Sequence, residues 1–276
     1  MKDWIERRKA VVFVLLAYGI TWILAMPLVL SYLGIISIAM SYSIHYLLPY
    51  GPLLAALVTT TLVDGTEKVR ELFHRIAKWK IRPLWIAITL FSVWLMYIGS
   101  GLIIVVMGEP WPDINAFGQM QYLPYLNVIV AWILWICTYG IGEETGWRGF
   151  LLPHLQSKYN ALTSSLILAL IWAGWHLPMF LYHVNFIMMG PIGTIFWVIG
   201  LMFGSVLLTS LYNNTEGSIL LVAVWHGTYN LFTAAVGEIA DTTAGIITMF
   251  VIILVIAIIR RFGPENLSKH ERQTDL

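Results

Sequence analysis

The chain has little charge and almost no cysteine. Only 11% of its 276 residues are charged, against about a quarter in ordinary soluble domains, and its mean hydropathy is +0.77. This composition excludes an ordinary soluble domain. Cys137 is the only cysteine, so an internal disulfide is impossible. A net charge of +1 gives no basis for binding nucleic acid or acidic partners.

Long apolar runs make up most of the chain. A helix that crosses a bilayer needs about 20 largely apolar residues, and eight such runs can be drawn. They lie at about 10–36, 44–63, 84–107, 123–143, 162–182, 192–211, 217–237 and 243–261. The segments between them are too short for a separate soluble domain. The sequence therefore predicts an all-α, polytopic membrane protein, one domain over 1–276 built as a bundle of about eight transmembrane helices.

The first apolar run follows Lys2, Arg7, Arg8 and Lys9, as a secretory signal would. It is too long for the apolar part of a signal peptide and has no small-residue cleavage site at its end. We interpret it as a retained first helix.

Lys and Arg occur at alternate turns of the chain. They lie in the N-terminal arm, between predicted helices 2 and 3, between helices 4 and 5, and after helix 8. The loops on the opposite side have no Lys or Arg and carry Glu109, Asp113, Glu238 and Asp241. Because basic loops stay in the cytoplasm, both termini are predicted to be cytoplasmic. The same alternation supports eight spans.

Three polar segments lie outside these runs. Residues 64–82 mix basic and apolar side chains and predict an amphipathic interfacial helix, a solvated charged connector being the alternative. Residues 144–160, which contain Pro153, predict a short helix or turn that leads into helix 5. Residues 263–276 predict a polar, mobile tail on the cytoplasmic side.

Two adjacent carboxylates, Glu143 and Glu144, end the fourth apolar run, and no other carboxylate lies inside a predicted span. Consecutive residues on a helix point about 100° apart, so the two cannot do the same work. Glu144 and Arg148 are four residues apart and can pair on one face. Glu143 is left without a local cation and suits a general base. The alternative is that both are ordinary charges in interfacial water.

Two further predicted helices carry unusual polar side chains. Trp172 and His176 share a face of helix 5, and His226 and Asn230 share a face of helix 7, where two donors can stabilise a developing oxyanion. Each alone is equally well an interhelical hydrogen bond. Polar groups on three helices in the lower or middle part of the membrane favour one shared site.

Glutamate with two histidines and an asparagine suggests water activation and carbonyl polarisation, hence hydrolysis. The chain has no Gly-x-Ser-x-Gly motif for a serine nucleophile and no His-Glu-x-x-His zinc motif. A zinc ion bound by Glu143, His176 and His226 is still chemically allowed, because two histidines and one carboxylate can form a catalytic site.

The ordered motifs resemble those of the CPBP intramembrane endopeptidases, which include the CAAX-prenyl proteases and the bacterial Abi proteins, some of them linked to bacteriocin immunity. The motifs are Glu143-Glu144-x-x-x-Arg148, Trp172-x-x-x-His176 and His226-x-x-x-Asn230. They lie within about 120–235, the predicted catalytic core, and the first is most like the prokaryotic members. The second motif often has Phe where this chain has Trp172.

The resemblance implies a role for each motif residue. Glu143 and His176 are expected to activate a water molecule, and His226 and Asn230 to stabilise the oxyanion. The resemblance also leads us to expect a cavity open to the cytoplasmic leaflet.

It further implies that Glu144 and Arg148 form a supporting pair. We expect a metal-free glutamate mechanism without a cofactor, zinc being the alternative. The expected substrate is a membrane-embedded or lipidated peptide, in the lipid bilayer of a prokaryotic cell membrane.

Two other functions stay open at this stage. A small proton-coupled transporter would use the polar cluster as a proton or solute site, and it predicts inverted repeats, which the sequence does not show. A non-catalytic immunity or scaffold protein of the same family would often have lost motif residues. Here the six site residues are all present, namely Glu143, Glu144, Arg148, His176, His226 and Asn230.

Overall fold

The computed structural model describes residues 8–38, 40–118, 126–234 and 238–275, and these residues form helices and no β-strand. The predicted contributions of Lys2 and Arg7 lie outside the described residues. So do the end of the loop that contains Pro124 and the last residues of the run predicted at 217–237.

Nine helices organise the described chain. They are α1 (Lys9–Tyr32), α2 (Tyr42–Val63), α3 (Thr66–Ile76), α4 (Pro83–Val106), α5 (Val128–Gln156), α6 (Ala161–Leu181), α7 (Gly190–Asn214), α8 (Ile219–Thr233) and α9 (Glu238–Asn266). A single short helix, Val184–Met188, joins α6 to α7.

The fold class predicted from the sequence is confirmed. Seven of these helices are long and apolar enough to cross a membrane. The predicted run 217–237 corresponds to α8, whose 15 residues span about 22 Å against a hydrocarbon core of about 30 Å. The charged helix α3, with Leu72 as its buried residue, is the helix predicted within 64–82.

Helix α5 is longer than the sequence predicted. The predicted end at Glu143 is wrong, because the helix continues to Gln156. The residues Trp147–Leu151 form a π-helical turn, and Pro153 follows in the last α-helical turn. Glu143 therefore lies in the middle of the span and not at its end.

Glycines bring α5 into backbone contact with its neighbours. A Cβ on Gly140 would lie 2.4 Å from the Ala223 carbonyl oxygen of α8, and one on Gly142 would lie 2.8 Å from the Pro49 carbonyl oxygen of α2. Only glycine fits such contacts. These two approaches set the distance of Glu143 and Glu144 from the helices on either side.

The segments that carry the basic residues meet at one end of the bundle, here called the basic end. Lys9 Nζ lies 3.1 Å from Asp64 Oδ1 at the end of α2. Lys78 Nζ donates to the Glu216 carbonyl oxygen between α7 and α8, at 2.7 Å. The opposite end, here called the acidic end, contains Glu109, Asp113, Glu238 and Asp241.

The segment after Gly263 is packed, which corrects the prediction of a mobile tail. Gly263 has a φ of +73°, which glycine adopts without strain, and the chain turns back there. Leu267 is fully buried, and its carbonyl oxygen accepts from Ser210 Oγ at 2.7 Å. Gln156 Nε2 donates to the Gln273 carbonyl oxygen at 2.7 Å. The tail therefore covers the basic end of α5 and α7.

Candidate active site

Glu143 is a buried carboxylate that lies beside two indoles. Its side chain lies on a π-helical stretch of α5, Ile136–Glu143, a local geometry that is often found at functional sites. Trp172 Nε1 donates to Glu143 Oε2 at 2.5 Å, and Trp147 Nε1 lies 3.4 Å from the same oxygen. Neither donor is a cation, so Glu143 lacks the local charge partner that Glu144 has, as the helical phase predicted.

Glu144 forms the ion pair predicted with Arg148. Arg148 Nη1 donates to Glu144 Oε1 at 2.9 Å, and both side chains have no exposed surface. Arg148 Nη2 continues to Ser205 Oγ on α7 at 3.3 Å. A second contact was not predicted: His226 Nδ1 of α8 lies 2.7 Å from the same Glu144 oxygen. Glu144 therefore also stands next to a proposed catalytic histidine.

His226 and Asn230 contact each other, one helical turn apart on α8. His226 Nε2 lies 3.2 Å from Asn230 Nδ2. The Glu144 carboxylate favours a proton on Nδ1 of His226, so Nε2 accepts from the Asn230 amide while the ring is neutral. If the ring gains a second proton, Nε2 becomes a donor beside the Asn230 amide.

His176 ends the α-helical part of α6. Its Nδ1 lies 2.7 Å from the Trp172 carbonyl oxygen, which places the proton on Nδ1 and leaves the lone pair on Nε2. The ring lies between aromatic side chains, with ring centroids 5.7 Å from Phe186 and 5.1 Å from Trp197. This packing fixes the orientation of the free Nε2.

Trp172 contacts most of the proposed site, which the sequence reasoning missed. In addition to its bond to Glu143, its ring lies 5.3 Å from the His226 ring in an edge arrangement. The guanidinium carbon of Arg148 stands 4.9 Å from the ring centroid. A Phe at this position has no N–H to donate. The presence of Trp in a motif that often has Phe was the available signal.

A cavity of about 730 Å³ brings the predicted residues together, since Glu143, His176, His226 and Asn230 all line it. Glu144 and Arg148 lie behind the wall. Two lining histidines were not singled out from the sequence, His45 and His183. His45 Nδ1 lies 2.5 Å from the Tyr182 hydroxyl, and burial lowers the pKa of His183 to about 4, so this imidazole is neutral near pH 7.

The cavity lies nearer the acidic end than the basic end, so the expected opening to the cytoplasmic leaflet and the expected cytoplasmic position of the basic end do not hold together. Its lining residues come from the parts of the helices nearer the acidic end, including Asn185, Met189 and Ala234. We expected an opening on the side of the basic segments. Instead the continued α5 and the packed tail fill that half of the bundle.

The three side chains of the zinc alternative do not converge on one point in the described structure. Among the residues that the structure describes, no group of three or more His, Cys, Asp or Glu side chains is close enough to hold one. The zinc alternative needs Glu143, His176 and His226 to converge on one point. Instead Nδ1 of His226 faces Glu144, its Nε2 faces Asn230, and Nδ1 of His176 faces a backbone carbonyl.

Comparison with known proteins agrees with the motifs. A family model described as type II CAAX prenyl endopeptidase Rce1-like matches residues 125–232, a range that contains all seven residues of the three motifs. A curated protein named CAAX prenyl protease 2, from Methanococcus maripaludis, is 25% identical over 152 residues, which is 52% of this chain and 54% of the relative. The match therefore spans about half the length of that relative.

Proposed function

We propose that this chain, which belongs to the CPBP family of CAAX-type proteases, is an intramembrane endopeptidase that uses a glutamate-activated water molecule. One observation carries the proposal. Glu143, a buried carboxylate without a cationic partner, opens into the same cavity as His176, His226 and Asn230. Hydrolysis of an amide needs a general base, a second polar group that positions the water and donors for the oxyanion. These four residues supply them.

The first step is attack by water. Glu143 removes a proton from a water molecule that also donates to Nε2 of His176, and the water oxygen adds to the peptide carbonyl carbon. The bond from Trp172 to Oε2 orients the carboxylate, so that Oε1 is the oxygen left to take the proton. The protein supplies a fixed base and a desolvated site in this step.

The second step is stabilisation of the oxyanion. The negative carbonyl oxygen accepts a hydrogen bond from Nδ2 of Asn230, and it lies beside Nε2 of His226, which donates to it in any form of the ring that carries a proton on Nε2. Glu144 stands next to this ring, with its carboxylate oxygen 2.7 Å from Nδ1. Arg148 holds Glu144 in place by the bond at 2.9 Å.

The last step breaks the C–N bond. The proton held on Glu143 passes to the leaving amine nitrogen, the oxyanion collapses to a carboxylic acid, and the carboxylate of Glu143 is regenerated. No step uses a metal ion or a cofactor. Elemental analysis of the purified protein and its activity in chelator test this; stoichiometric zinc with chelator-sensitive activity would establish the zinc alternative.

The protein is an integral membrane protein, and we propose that it is a multi-pass protein of a prokaryotic cell membrane with both termini in the cytoplasm. The collection of Lys and Arg at one end of the bundle supports this orientation. The proposed substrate is a membrane-embedded or lipidated peptide. The name of the curated relative supports a prenylated one.

The test is cleavage of two internally quenched peptides that end in Cys-aliphatic-aliphatic-X, one farnesylated and one unmodified, by purified protein in detergent. We expect Glu143→Gln to lower kcat by about three orders of magnitude or more, because the base is lost while the shape is kept. Glu109→Gln, an exposed glutamate at the acidic end, is the matched control and should keep full activity.

Full activity of Glu143→Gln would refute the assignment. If neither peptide is cleaved, quantitative proteomics of membranes from cells with wild type and Glu143→Gln decides, since only an active protease produces truncated peptides. A phenotype that survives Glu143→Gln would favour the scaffold function, and coupled flux in liposomes would favour the transporter.

A further inference from the structure

Two imidazoles in the cavity wall have no part in the proposed mechanism. His45 belongs to the first turns of α2, and His183 follows the end of α6. Their ring centroids are 4.9 Å apart, and both line the cavity with side chains that are 2% and 3% exposed. A buried histidine in a helical bundle is often a link between helices, so the atoms that these rings leave open decide their role.

The hydroxyl of Tyr182 fixes the tautomer of His45. Tyr182 is fully buried, and its hydroxyl lies 2.5 Å from Nδ1 of His45. Among the described residues, no other acceptor lies within hydrogen-bond distance of this hydroxyl. Because a buried O–H that donates to nothing is costly, the hydroxyl donates to Nδ1. The neutral His45 ring then carries its proton on Nε2.

Nε2 of His45 is a donor that the protein itself does not use. No residue in the described part of the chain accepts from it, and the ring lines the cavity with Nδ1 turned to Tyr182. Nε2 is therefore the polar atom that this ring offers to the cavity. A purely structural link between α2 and α6 needs Nδ1 alone, and an unpaired N–H in an apolar wall costs free energy. The arrangement favours a ligand that carries an acceptor.

The charge of the cavity wall indicates which acceptor fits. Among the lining residues that the structure describes, Glu143 is the one Asp, Glu, Lys or Arg. His176 and His226 face the reacting groups in the proposed mechanism. His45 and His183 are thus the groups that remain to donate to a negatively charged part of a substrate. A charged acceptor forms a stronger hydrogen bond with such a donor than a neutral one does.

The distance from Glu143 to these imidazoles is a few residues of extended peptide. Tyr139 precedes Glu143 by four residues on α5, which is a rise of about 6 Å. The Tyr139 ring centroid lies 6.1 Å from that of His45. A separation on the order of 10 Å corresponds to about three residues of extended chain.

A second set of contacts gives the same scale from α6. The Phe186 ring centroid lies 5.3 Å from that of His183 and 5.7 Å from that of His176. One aromatic ring therefore separates His183 from the histidine proposed to position the water molecule. The two imidazoles lie close enough for one bound peptide to reach both them and Glu143.

We propose that His45, with His183 beside it, binds the C-terminal carboxylate of the substrate about three residues beyond the scissile bond. Nε2–H of His45 donates to the carboxylate, and this contact fixes the distance between the end of the peptide and the carbon that water attacks. His45 thereby selects peptides whose scissile bond lies near their C-terminus. The proposal rests on the proposed protease function and concerns which peptides are cut, not how the bond is broken.

A pair of substrates tests this with the wild-type protein. The farnesylated quenched peptide of the activity assay is compared with the same peptide ending in a C-terminal amide. We expect kcat/KM for the free acid to exceed that for the amide about tenfold, mainly through KM, because the contact holds the substrate before and during reaction. Equal values would overturn the inference and leave the protease proposal intact.

Variants of His45 assign the preference to its side chain. His45→Leu removes the donor, so kcat/KM for the free acid should fall about tenfold while that for the amide stays unchanged. A variant that only packs badly would slow both peptides alike. His45→Gln still offers an N–H and should keep part of the preference. His74→Gln, at an exposed position of α3, is the matched control and should keep all of it. Full preference in His45→Leu would overturn the inference.

Binding of a product-like peptide tests the site without catalysis. The probes are a dansyl-labelled apolar tripeptide with a free carboxylate and its C-terminal amide, titrated against Glu143→Gln protein and followed by dansyl fluorescence. We expect the acid to bind about tenfold more tightly and His45→Leu in the same background to remove the difference. Equal affinities would overturn the inference. If wild type cleaves neither substrate but this difference in binding is found, the protease proposal fails and the carboxylate site stands.

Discussion

The two halves of the bundle differ in packing although the same helices run through both. Towards the basic end, α5, α6 and α7 are joined by buried hydrogen bonds and covered by the tail. Towards the acidic end the same helices separate around a cavity. The boundary between the two halves lies at Glu143 and Glu144. The filled half holds the charges that orient the site, and the hollow half leaves room for a substrate.

The largest effect on stability is expected when the ion pair between Glu144 and Arg148, at the boundary of the two halves, is broken. Arg148→Met leaves the buried Glu144 carboxylate without its cation, and we expect the protein to lose about 3–5 kcal/mol of stability. Unfolding in detergent, followed by intrinsic fluorescence, measures the loss.

The double variant Glu144→Leu with Arg148→Met sharpens the result. It removes both charges and should recover most of the stability, because apolar replacements of a buried pair are often neutral. Activity should stay low, since His226 has lost the carboxylate beside Nδ1. If the single variant were as stable as wild type, the filled half would not depend on this pair.

Trp172 joins the two halves, since its N–H reaches Glu143 and its ring lies under Arg148. Trp172→Phe removes a hydrogen bond to a carboxylate, worth about 1.5–3 kcal/mol. We expect kcat to fall roughly 10- to 100-fold with KM unchanged, because the base is misplaced while the cavity keeps its shape.

Trp147→Phe is the matched control for Trp172→Phe. Its indole nitrogen lies 3.4 Å from the same oxygen, beyond the usual hydrogen-bond range of about 2.7–3.2 Å. A smaller loss of kcat is therefore expected. Equal losses in the two variants would show that general packing of the indoles, and not the N–H of Trp172, supports Glu143.

Substitutions at the contacts of the C-terminal tail are expected to affect the filled half alone. Asn213 Nδ2 donates to Gln156 Oε1 at 2.8 Å and to the Asn266 carbonyl oxygen at 2.9 Å. Asn213→Ala leaves these buried acceptors unpaired, so we expect a loss of about 1–3 kcal/mol with unchanged kcat. Gln273→Ala, which keeps its backbone contacts, should have the stability of wild type. A fall in kcat without a loss of stability would mean that the tail acts on the site.

A substitution at the edge of the cavity is expected to affect the hollow half alone, and its effect on activity should be the smallest. Phe196 lines the cavity and is itself exposed. Phe196→Ala removes apolar surface from this edge, and we expect KM for the quenched peptide to rise about three- to tenfold, or about 1 kcal/mol, with unchanged stability. Phe91→Ala, on an exposed face of α4 that does not line the cavity, is the control. An unchanged KM for Phe196→Ala would show that the substrate does not contact this edge of the cavity.

Contacts within one helix were predictable from the sequence. Glu144 with Arg148 and His226 with Asn230 are four residues apart, and helix geometry alone brings such pairs together. The contact between His226 and Glu144 and the bond from Trp172 to Glu143 join different helices. They depend on how closely α5 approaches α2 and α8, which glycine contacts decide.

The end predicted for α5 was wrong for a related reason. A prediction from hydropathy ends a transmembrane helix where charged residues begin. For this reason the predicted span ended at Glu143 and left out Glu144 and Arg148. In the structure Arg148 is paired and fully buried, which offsets much of the cost of burying a charge. The prediction of a mobile tail failed in the same way, because the polar tail residues find buried partners on α5 and α7.

The sequence by itself determined that this is a helical membrane protein, how many apolar helices it has, which end collects the basic residues, and which residues stand in the motifs. These properties depend on single residues and their spacing along one helix. Only the tertiary structure decided the depth of Glu143, the partners of Glu144 and the end towards which the cavity extends. A cavity is the space left between helices that are distant in the sequence, so it depends on their mutual packing and not on the composition of any one of them.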